Sequence, residues 1–372
     1  MDTKKNLFLK NKFWAIILVA QFSLFYIFSR IDAAVDLFNT LFETKKAVHI
    51  LLFSRTGFSA GDVIYILASV YLILMIVHLI KRKKGTVRQV MIFINTVYFI
   101  YQCFWGMLYF QKPIIEKLQK KEITEDDLKN LTIKYLKLCA ESREKVSEDK
   151  AGIFIIGDLE TIEKEILEQQ KMLPASITTK KPVTVLAVKQ SVFDRAMSFT
   201  GILGYYNPFT AEAQYNAHLP HTQLPFTLAH EMSHQLGFAR EQEASFIAYL
   251  CAKNSANPDL QYSAQLYVLK SLLRSLSSKD TLFVKKILSQ FSYKMKRDRA
   301  SELQFFMKHD GLVSDIFGIA NDLFLKSNQQ DGSITYSYFV TLLALYEAQK
   351  KESHTRYDSK NTNDEKKFIA PE

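Results

Sequence analysis

The first third of the chain alternates long apolar runs with short charged segments. No charged residue occurs from Phe13 to Ser29, from Val63 to Leu79 or from Val90 to Phe110. Each run approaches the roughly 20 residues that a helix needs to cross a bilayer. The pattern therefore predicts three membrane spans, at about residues 13–30, 62–80 and 89–110.

Basic residues flank the apolar runs and orient the predicted spans. Lysines precede the first run, and the segment from Lys81 to Arg88 separates the second run from the third. By the positive-inside rule both basic segments lie in the cytoplasm, so three spans place everything after the transmembrane region, residues 1–111, on the outside. A cleavable signal peptide is the alternative for the first run, but no clear small-residue cleavage site follows it. We therefore expect a multi-pass protein of the cell membrane, with a cytoplasmic N-terminus and an extracytoplasmic C-terminal domain.

Two features beside the spans concern how they meet their surroundings. The segment from Ile31 to Gly61 mixes charged residues with short apolar stretches. It is either an amphipathic segment on the outer membrane surface or a packed connector between the first two spans. In the third run, Tyr101, Trp105 and Tyr109 are placed like the aromatic side chains that lie at membrane–water interfaces.

After Gln111 the pattern changes to amphipathic helices with charged faces. Thr124 followed by Asp127 predicts a capping box at the start of a helix that runs to about Val146. Further helices are predicted at Leu159–Met172, Leu260–Leu276, Thr281–Met295 and Glu302–Leu325, and strands at Val183–Val188, Ala196–Leu203 and Phe209–Tyr215. The predicted fold class is therefore α+β and mainly helical, with one small sheet in a domain over residues 112–352. The charged tail over residues 353–372 is predicted to be disordered.

Charge and cysteine content narrow the range of partners. A formal net charge of +10 is typical of nucleic-acid-binding proteins or of proteins beside anionic lipid. Because much of this charge flanks the apolar runs, we expect a lipid bilayer as a partner and no nucleic acid. The three cysteines are too few and too scattered for a disulfide framework or a Cys-x-x-Cys metal site. Cys139 and Cys251 could form a bridge, but two buried thiols are favoured.

The motif that carries chemistry lies at residues 228–238, which read Leu-Ala-His-Glu-Met-Ser-His-Gln-Leu-Gly-Phe. On a helix, His230 and His234 share a face, so both imidazoles can bind one zinc ion. Glu231 lies beside them and can take a proton from a water molecule without acting as a ligand. The alternative is an exposed helix face with two unremarkable histidines. The apolar residues around the motif argue against it, because they would bury this helix.

A catalytic zinc site needs a third protein ligand and keeps the fourth position open for water. In one class of zinc proteins, a third histidine follows the motif, three residues after a glycine. Gly237 is the corresponding glycine here, but Arg240 stands at the position of that histidine and cannot bind a cation. Glu241 and Glu243 follow, in a helix that starts early because Gly237 supplies a stop for the motif helix. Glu241 with Ala244 resembles the E-x-x-A signature of compact gluzincins, in which a glutamate of the next helix is the third ligand. Glu243 is the alternative third ligand.

The chain as a whole resembles an uncharacterised bacterial family, classed as a domain of unknown function. Residues that carry the resemblance are Phe58-Ser59-Ala60-Gly61-Asp62, Trp105-Gly106, Asn207–Ala213, His230–Phe246, and Gly332 with Ser333 and Tyr336. The resemblance implies three N-terminal spans and an extracytoplasmic, zincin-like domain with the metal site above. It implies no particular substrate.

Similarity to zincins also suggests roles for residues around the motif. Related zincins bind an extended peptide along an edge strand above the cleft, and Phe209–Tyr215 lies where that strand is expected. Zincins commonly pair the metal with a donor to the developing oxyanion, and Tyr205, Tyr206 or Tyr336 is a candidate for that donor.

The sequence thus predicts a membrane-anchored zinc metallopeptidase in which His230, His234 and Glu241 bind zinc and Glu231 is the catalytic base. Its expected substrates are peptides or proteins at the outer membrane surface. A zinc-binding receptor or scaffold without hydrolytic activity is the alternative. A transport function is disfavoured because the three apolar runs contain no acidic or basic residue beyond His78.

Overall fold

The computed structural model describes residues 11–328, 330 and 338–350, and its fold is mainly helical. Four long helices come first: α1 (Asn11–Phe28), α2 (Asp32–Phe53), α3 (Ala60–Ile80) and α4 (Thr86–Phe104). Helices α1 and α3 are each long and apolar enough to cross a membrane. Helix α4 meets that standard only together with the 3₁₀ continuation Gly106–Lys117, from which it is bent by 47°.

Helices α1 and α4 run side by side in the same direction. Gln21 donates to Asn95 over 3.2 Å, and Phe25 contacts Phe99 one turn further along both helices. Helix α3 runs in the opposite direction, with Tyr71 against Phe93. One end of this bundle therefore carries the basic connection between α3 and α4, and the other end faces the rest of the protein.

Helix α2 connects the ends of α1 and α3 that face the rest of the protein. Its contacts decide whether this segment is an amphipathic segment on the membrane surface or a packed connector. Phe42, Lys45 and Lys46 are buried. The Lys45 ammonium donates to the carbonyl of Pro208 over 2.7 Å, and Lys46 donates to the carbonyl of Leu236 over 3.3 Å. The segment is a connector packed on the domain, although its other face is exposed and apolar.

The remaining helices and strands form one domain. Its helices are α5 (Glu125–Arg143), α6 (Leu159–Lys171), α7 (Asp194–Thr200), α8 (Leu224–Leu236), α9 (Glu241–Lys253), α10 (Pro258–Leu276), α11 (Thr281–Ser289), α12 (Tyr293–His309), α13 (Leu312–Ser327) and α14 (residues 338–350). Its strands are β1 (Val188–Gln190), β2 (Gly204–Asn207) and β3 (Glu212–Tyr215). They form a sheet in the order β1-β3-β2, parallel between β1 and β3 and antiparallel between β3 and β2.

Helices with strong local signals agree with the sequence predictions. The capping box of Thr124 and Asp127 starts α5, and α6 and α10 lie within two residues of their predicted bounds. The predicted helix Thr281–Met295 is wrong, because Ser292 caps a new helix by accepting from the amide of Met295. The predicted helix Glu302–Leu325 is also wrong, because α12 and α13 are separated at Asp310–Gly311.

Two of the three predicted strands are wrong. Val183 and Ala187 are buried, but pairing begins only at Val188, so most of Val183–Val188 is not a strand. Residues 196–203 were expected to form a strand, and most of them lie in α7, which ends at Gly201 in a left-handed conformation. The third prediction is correct for Glu212–Tyr215 only.

The bundle is joined to the sheet through the first turn of α3. The Glu212 carboxylate accepts the amides of Ala60 and Gly61 over 3.2 and 2.7 Å, which places a negative charge at the positive end of a helix. Asp62 accepts from the Tyr205 hydroxyl and from the amide of Val192. Two buried carboxylates therefore fix the apolar helices to the domain.

Aromatic residues at the end of α4 belong to the domain core. Trp105 and Tyr109 are 6% and 2% exposed, so their predicted position at a membrane interface is wrong. The chain bends after Phe104, and this bend turns both rings toward the sheet, where Trp105 packs on Tyr206. Cys139 and Cys251 are buried and unbridged. The predicted disordered tail and Tyr336 lie outside the described residues.

Candidate metal centre

Helix α8 carries the H-E-x-x-H motif through the centre of the domain. The whole helix is buried except for His230, which is partly exposed. Gly237 ends it with a φ of 112°, and a Cβ at this position would lie 2.7 Å from the ring of Phe42. Only glycine fits both the backbone and this contact, so the chain reverses at once into α9.

The reversal brings three sequence-predicted residues together. The Nε2 atoms of His230 and His234 are 3.1 Å apart, and the Glu241 carboxylate lies 3.1 Å from the first and 3.5 Å from the second. All three ligand atoms lie within 4.8 Å of one another. Glu241 is the first residue of α9, so the helix register aims its carboxylate at α8.

The other ring nitrogen of each histidine has its own partner. His234 Nδ1 lies 2.6 Å from the carbonyl of Phe238, which can only accept, so Nδ1 carries the proton and Nε2 faces the cluster. His230 Nδ1 lies 3.1 Å from the Ser245 hydroxyl, and that hydroxyl accepts from Tyr267. Such partners hold the rings of metal-binding histidines in place.

Glu231 lies next to the cluster and apart from it. Its side chain is 5% exposed, and its carboxylate has no hydrogen-bond partner among the residues that the structure describes. A Cβ on Gly204 would lie 2.7 Å from Glu231 Cγ and 2.8 Å from its Oε1. Strand β2 therefore approaches the Glu231 side chain so closely that only glycine fits at that point.

Burial and mutual charge set the protonation of these groups. Burial raises the pKa of Glu231 to about 8. Burial alone would lower the pKa of His234, but the charge of Glu241 outweighs it and raises the value to about 9. Burial opposes ionisation of Glu241, yet the two imidazoles hold its pKa well below the usual range. Among the protein groups alone, Glu241 is therefore an anion, and the protonated imidazole of His234 balances its charge.

Glu243, the alternative ligand, points elsewhere. Its carboxylate accepts the amide of Ile114 over 2.8 Å and pairs with Arg240 at 3.2 Å. These contacts attach the segment that follows α4 to the first turn of α9. The geometry brings Glu241, and not Glu243, to the two imidazoles.

The strand and tyrosine predictions around the motif have different outcomes. Strand β3 pairs on both sides, so Phe209–Tyr215 has no open edge for a peptide and that prediction is wrong. Tyr205 faces away from the motif and donates to Asp62. Tyr206 is buried on the site side, and its hydroxyl has no partner in the part of the chain that the structure describes.

Sequence reasoning missed several residues that support the site. The Trp105 ring lies 5.8 Å from that of His234. Lys46 caps the carbonyl end of α8 at Leu236, and Ser245 contacts His230. No short motif links these positions to His230–His234. The only local signal was Ser245, four residues beyond Glu241 and therefore on the same face of α9.

Comparison with known proteins identifies the family to which the chain belongs. A model of the family described as "Protein of unknown function (DUF3810)" matches residues 38–344. The chain belongs to this family. The DUF3810 match begins within α2 and ends within α14, so it covers α3, the sheet and the whole His–Glu cluster. No curated protein and no solved structure matches the chain.

Proposed function

We propose that this DUF3810 protein is a membrane-anchored zinc metallopeptidase. The observation that carries the proposal is the convergence of His230, His234 and Glu241 on one point, with Glu231 beside it. Two histidines four residues apart with a carboxylate from the next helix are a typical set of zinc ligands.

The placement of the three side chains suits one zinc ion. Zinc bonds of roughly 2.0–2.1 Å in a tetrahedral arrangement separate neighbouring ligand atoms by about 3.3 Å. The two Nε2 atoms are 3.1 Å apart, Oε2 of Glu241 lies 3.1 Å from His230 Nε2, and its Oε1 lies 3.5 Å from His234 Nε2. The carboxylate of Glu241 also suits a cation, and the hydrogen bond from His234 Nδ1 to the carbonyl of Phe238 leaves Nε2 of that ring for the ion.

Glu231 is the proposed general base and acid. Bound zinc would activate a water molecule and polarise the peptide carbonyl. The Glu231 carboxylate would take a proton from the attacking water and pass it to the leaving amine. Its carboxylate is suited to this exchange because it lies beside the cluster and forms no hydrogen bond to another described residue.

Strand β2 is the proposed docking edge for an extended peptide. It is the antiparallel edge of the sheet and contacts α8, and Gly204 within it lies against Glu231. Main-chain groups along such an edge can pair with a bound peptide. The buried Tyr206 hydroxyl is the proposed donor to the developing oxyanion.

The proposed location is the cell membrane, with three spans formed by α1, α3 and α4 with its bent continuation. The basic connection between α3 and α4 lies at the end of the bundle away from the domain. The positive-inside rule then places the N-terminus in the cytoplasm and the site outside. Peptides or proteins at the outer membrane surface are the proposed substrates.

The test uses the full chain in detergent micelles, with bound zinc measured by elemental analysis and cleavage followed on a fluorescence-quenched peptide library. Wild type and Glu231→Gln should hold equal zinc, and the variant should cleave at least about 100-fold more slowly. Equal cleavage by both proteins would refute the peptidase and leave a zinc-binding receptor.

A matched pair of variants separates the third ligand from its neighbour. Glu241→Gln should lose most of the zinc because it removes a charged ligand. Glu243→Gln should keep the zinc, since its amide oxygen still accepts from Ile114. Equal zinc content in both variants would contradict the proposed ligand set.

A further inference from the structure

Helix α13 turns its apolar side chains away from the protein. Leu312, Ile316, Ile319 and Leu323 recur at helical spacing and are 75, 55, 65 and 62% exposed. Val313 and Phe317 extend the same face. A surface helix of a water-soluble domain buries such a stripe against the core. In α13 the stripe is on the outside.

The polar side of α13 is the side that packs. Leu325 is the buried residue of the helix, and Ser314 and Asp322 on the same side are partly covered. This side lies against α7. Helix α13 therefore packs with its polar side and exposes its apolar side, the reverse of a surface helix in water. Water is not the expected environment of the exposed apolar side.

Helix α13 is connected to the end of the bundle that faces the domain through α7 and through Asn328. Helix α7 directly follows Ser191 and Val192, which bind Asp62 in the first turn of α3. Asn328, the residue after α13, accepts the hydroxyl of Tyr101 in the last turn of α4 over 3.0 Å. Helix α13 thus lies at the level of the first turn of α3 and the last turn of α4, where these two candidate spans end on the domain side.

A second helix at this level also has an exposed apolar face. Helix α2 exposes Leu37, Leu41, Val48 and Leu52, which lie on one face at 67, 42, 52 and 60% exposure. Its opposite face, with Phe42 and Lys46, is buried. Two helices distant in sequence therefore present apolar faces to the outside beside the bundle.

We propose that α13 is an interfacial membrane helix, which lies in the plane of the bilayer with its apolar face among the acyl chains. Continuity with α3 and α4 favours lipid over a protein partner, because those helices bring the outer acyl layer to the level of α13. An amphipathic helix of this kind binds by burying its apolar face at the boundary of headgroups and chains.

Such docking connects the membrane surface to the candidate metal centre. Gln330, two residues beyond Asn328, accepts the amide of Glu241 over 3.2 Å. The segment that leaves α13 therefore reaches the start of α9. The inference itself rests on the apolar helices and α13, and it is independent of zinc binding and of hydrolysis.

The experiment places a tryptophan on each side of α13 in the full chain, reconstituted in phosphatidylcholine vesicles. Ile316→Trp reports the apolar face, and Asn321→Trp, about 140° further around the helix, is the matched control. Wild type, with two tryptophans, gives the background emission. Lipids brominated near the top of the acyl chains and aqueous iodide serve as the two quenchers.

Bromolipid should remove more than about half of the emission added at position 316 and little of that added at 321. Quenching of Ile316→Trp by iodide instead would overturn the proposal, since the face would lie in water. Protection from both quenchers would also overturn it, because a second copy or another protein would then cover the face. Leu312→Trp, one turn earlier and more exposed, repeats the test if Ile316→Trp does not fold.

Discussion

Two buried polar clusters in the same domain differ in how far the protein satisfies them. Around Arg143, every group has a partner: its guanidinium donates to Asp298 over 2.6 and 3.2 Å and to the carbonyl of Gly152 over 3.0 Å. Asp298 also accepts from Tyr262 over 2.6 Å and from the amide of Phe154 over 2.8 Å. This cluster needs nothing from solution.

The cluster around Glu241 is incomplete by the same measure. Two imidazoles and a carboxylate converge on one point, and the neighbouring Glu231 carboxylate forms no hydrogen bond to another described residue. A buried ionisable group without a hydrogen bond costs stability. Under the proposed function, the Arg143 cluster holds the fold together, whereas the Glu241 cluster binds zinc.

Disrupting the complete cluster should give the largest effect. Asp298→Ala leaves the Arg143 charge buried without its partner, and we expect a loss of about 3–5 kcal/mol in the free energy of unfolding. Chemical denaturation of the full chain in micelles measures it. Glu144→Gln, which removes an exposed ion pair with Lys294, is the control and should change little. Similar losses in both variants would remove the contrast between the clusters.

Zinc should stabilise the incomplete cluster alone. At a hundredfold excess over the dissociation constant, a ligand of the folded state adds about 2.7 kcal/mol. We expect that gain for wild type and almost none for His234→Ala, measured as the shift of the unfolding midpoint. A midpoint that rises equally in both proteins would mean that zinc binds elsewhere.

The close approach of β2 to Glu231 should tolerate no side chain. Gly204→Ala places a Cβ 2.8 Å from the carbonyl of Gln214, which is backbone and cannot easily move. We expect a loss of about 1–3 kcal/mol and a drop in hydrolysis. Gly57→Ala meets no atom within 4 Å and is the control. Unchanged stability and cleavage in Gly204→Ala would contradict the described contact.

The last prediction concerns pH in the zinc-free protein. The pKa of Glu231 is raised to about 8 in the folded state, so its ionisation costs stability as pH rises from roughly 4.3, the unfolded value, through 8. Glu231→Gln lacks this cost, so its stability should exceed that of wild type by a margin that grows as pH rises toward 8. The gap should close near pH 4. His234, with its pKa raised to about 9, loses its favourable contribution between pH 6.5 and 9 in both proteins.

Membrane and motif predictions rested on interactions within one helix. The apolar runs gave α1 and α3, and the capping box of Thr124 and Asp127 gave the start of α5. The spacing of His230 and His234 put both on one face of α8, and Gly237 marked its end. Each of these features depends only on residues within about one turn of one another.

Predictions that depended on distant partners failed or were missed. Strand β3 is central and not an edge because β1 and β2 both pair with it, and neither pairing can be read from its own four residues. Trp105 was predicted at a membrane interface, but the chain bends after Phe104 and places it in the domain core. In α13 the apolar stripe was visible in the sequence, but its outward direction was not.

The sequence by itself determined the apolar helices, the mainly helical class and the two imidazoles on one helical face, because helix geometry is local and repeats every 3.6 residues. Tertiary structure decided which glutamate meets those imidazoles, since Glu241 and Glu243 differ only in where α9 packs on α8 and the linker. It also decided which faces of α2 and α13 point outward. These choices depend on contacts between segments far apart in the chain, and no local pattern encodes them.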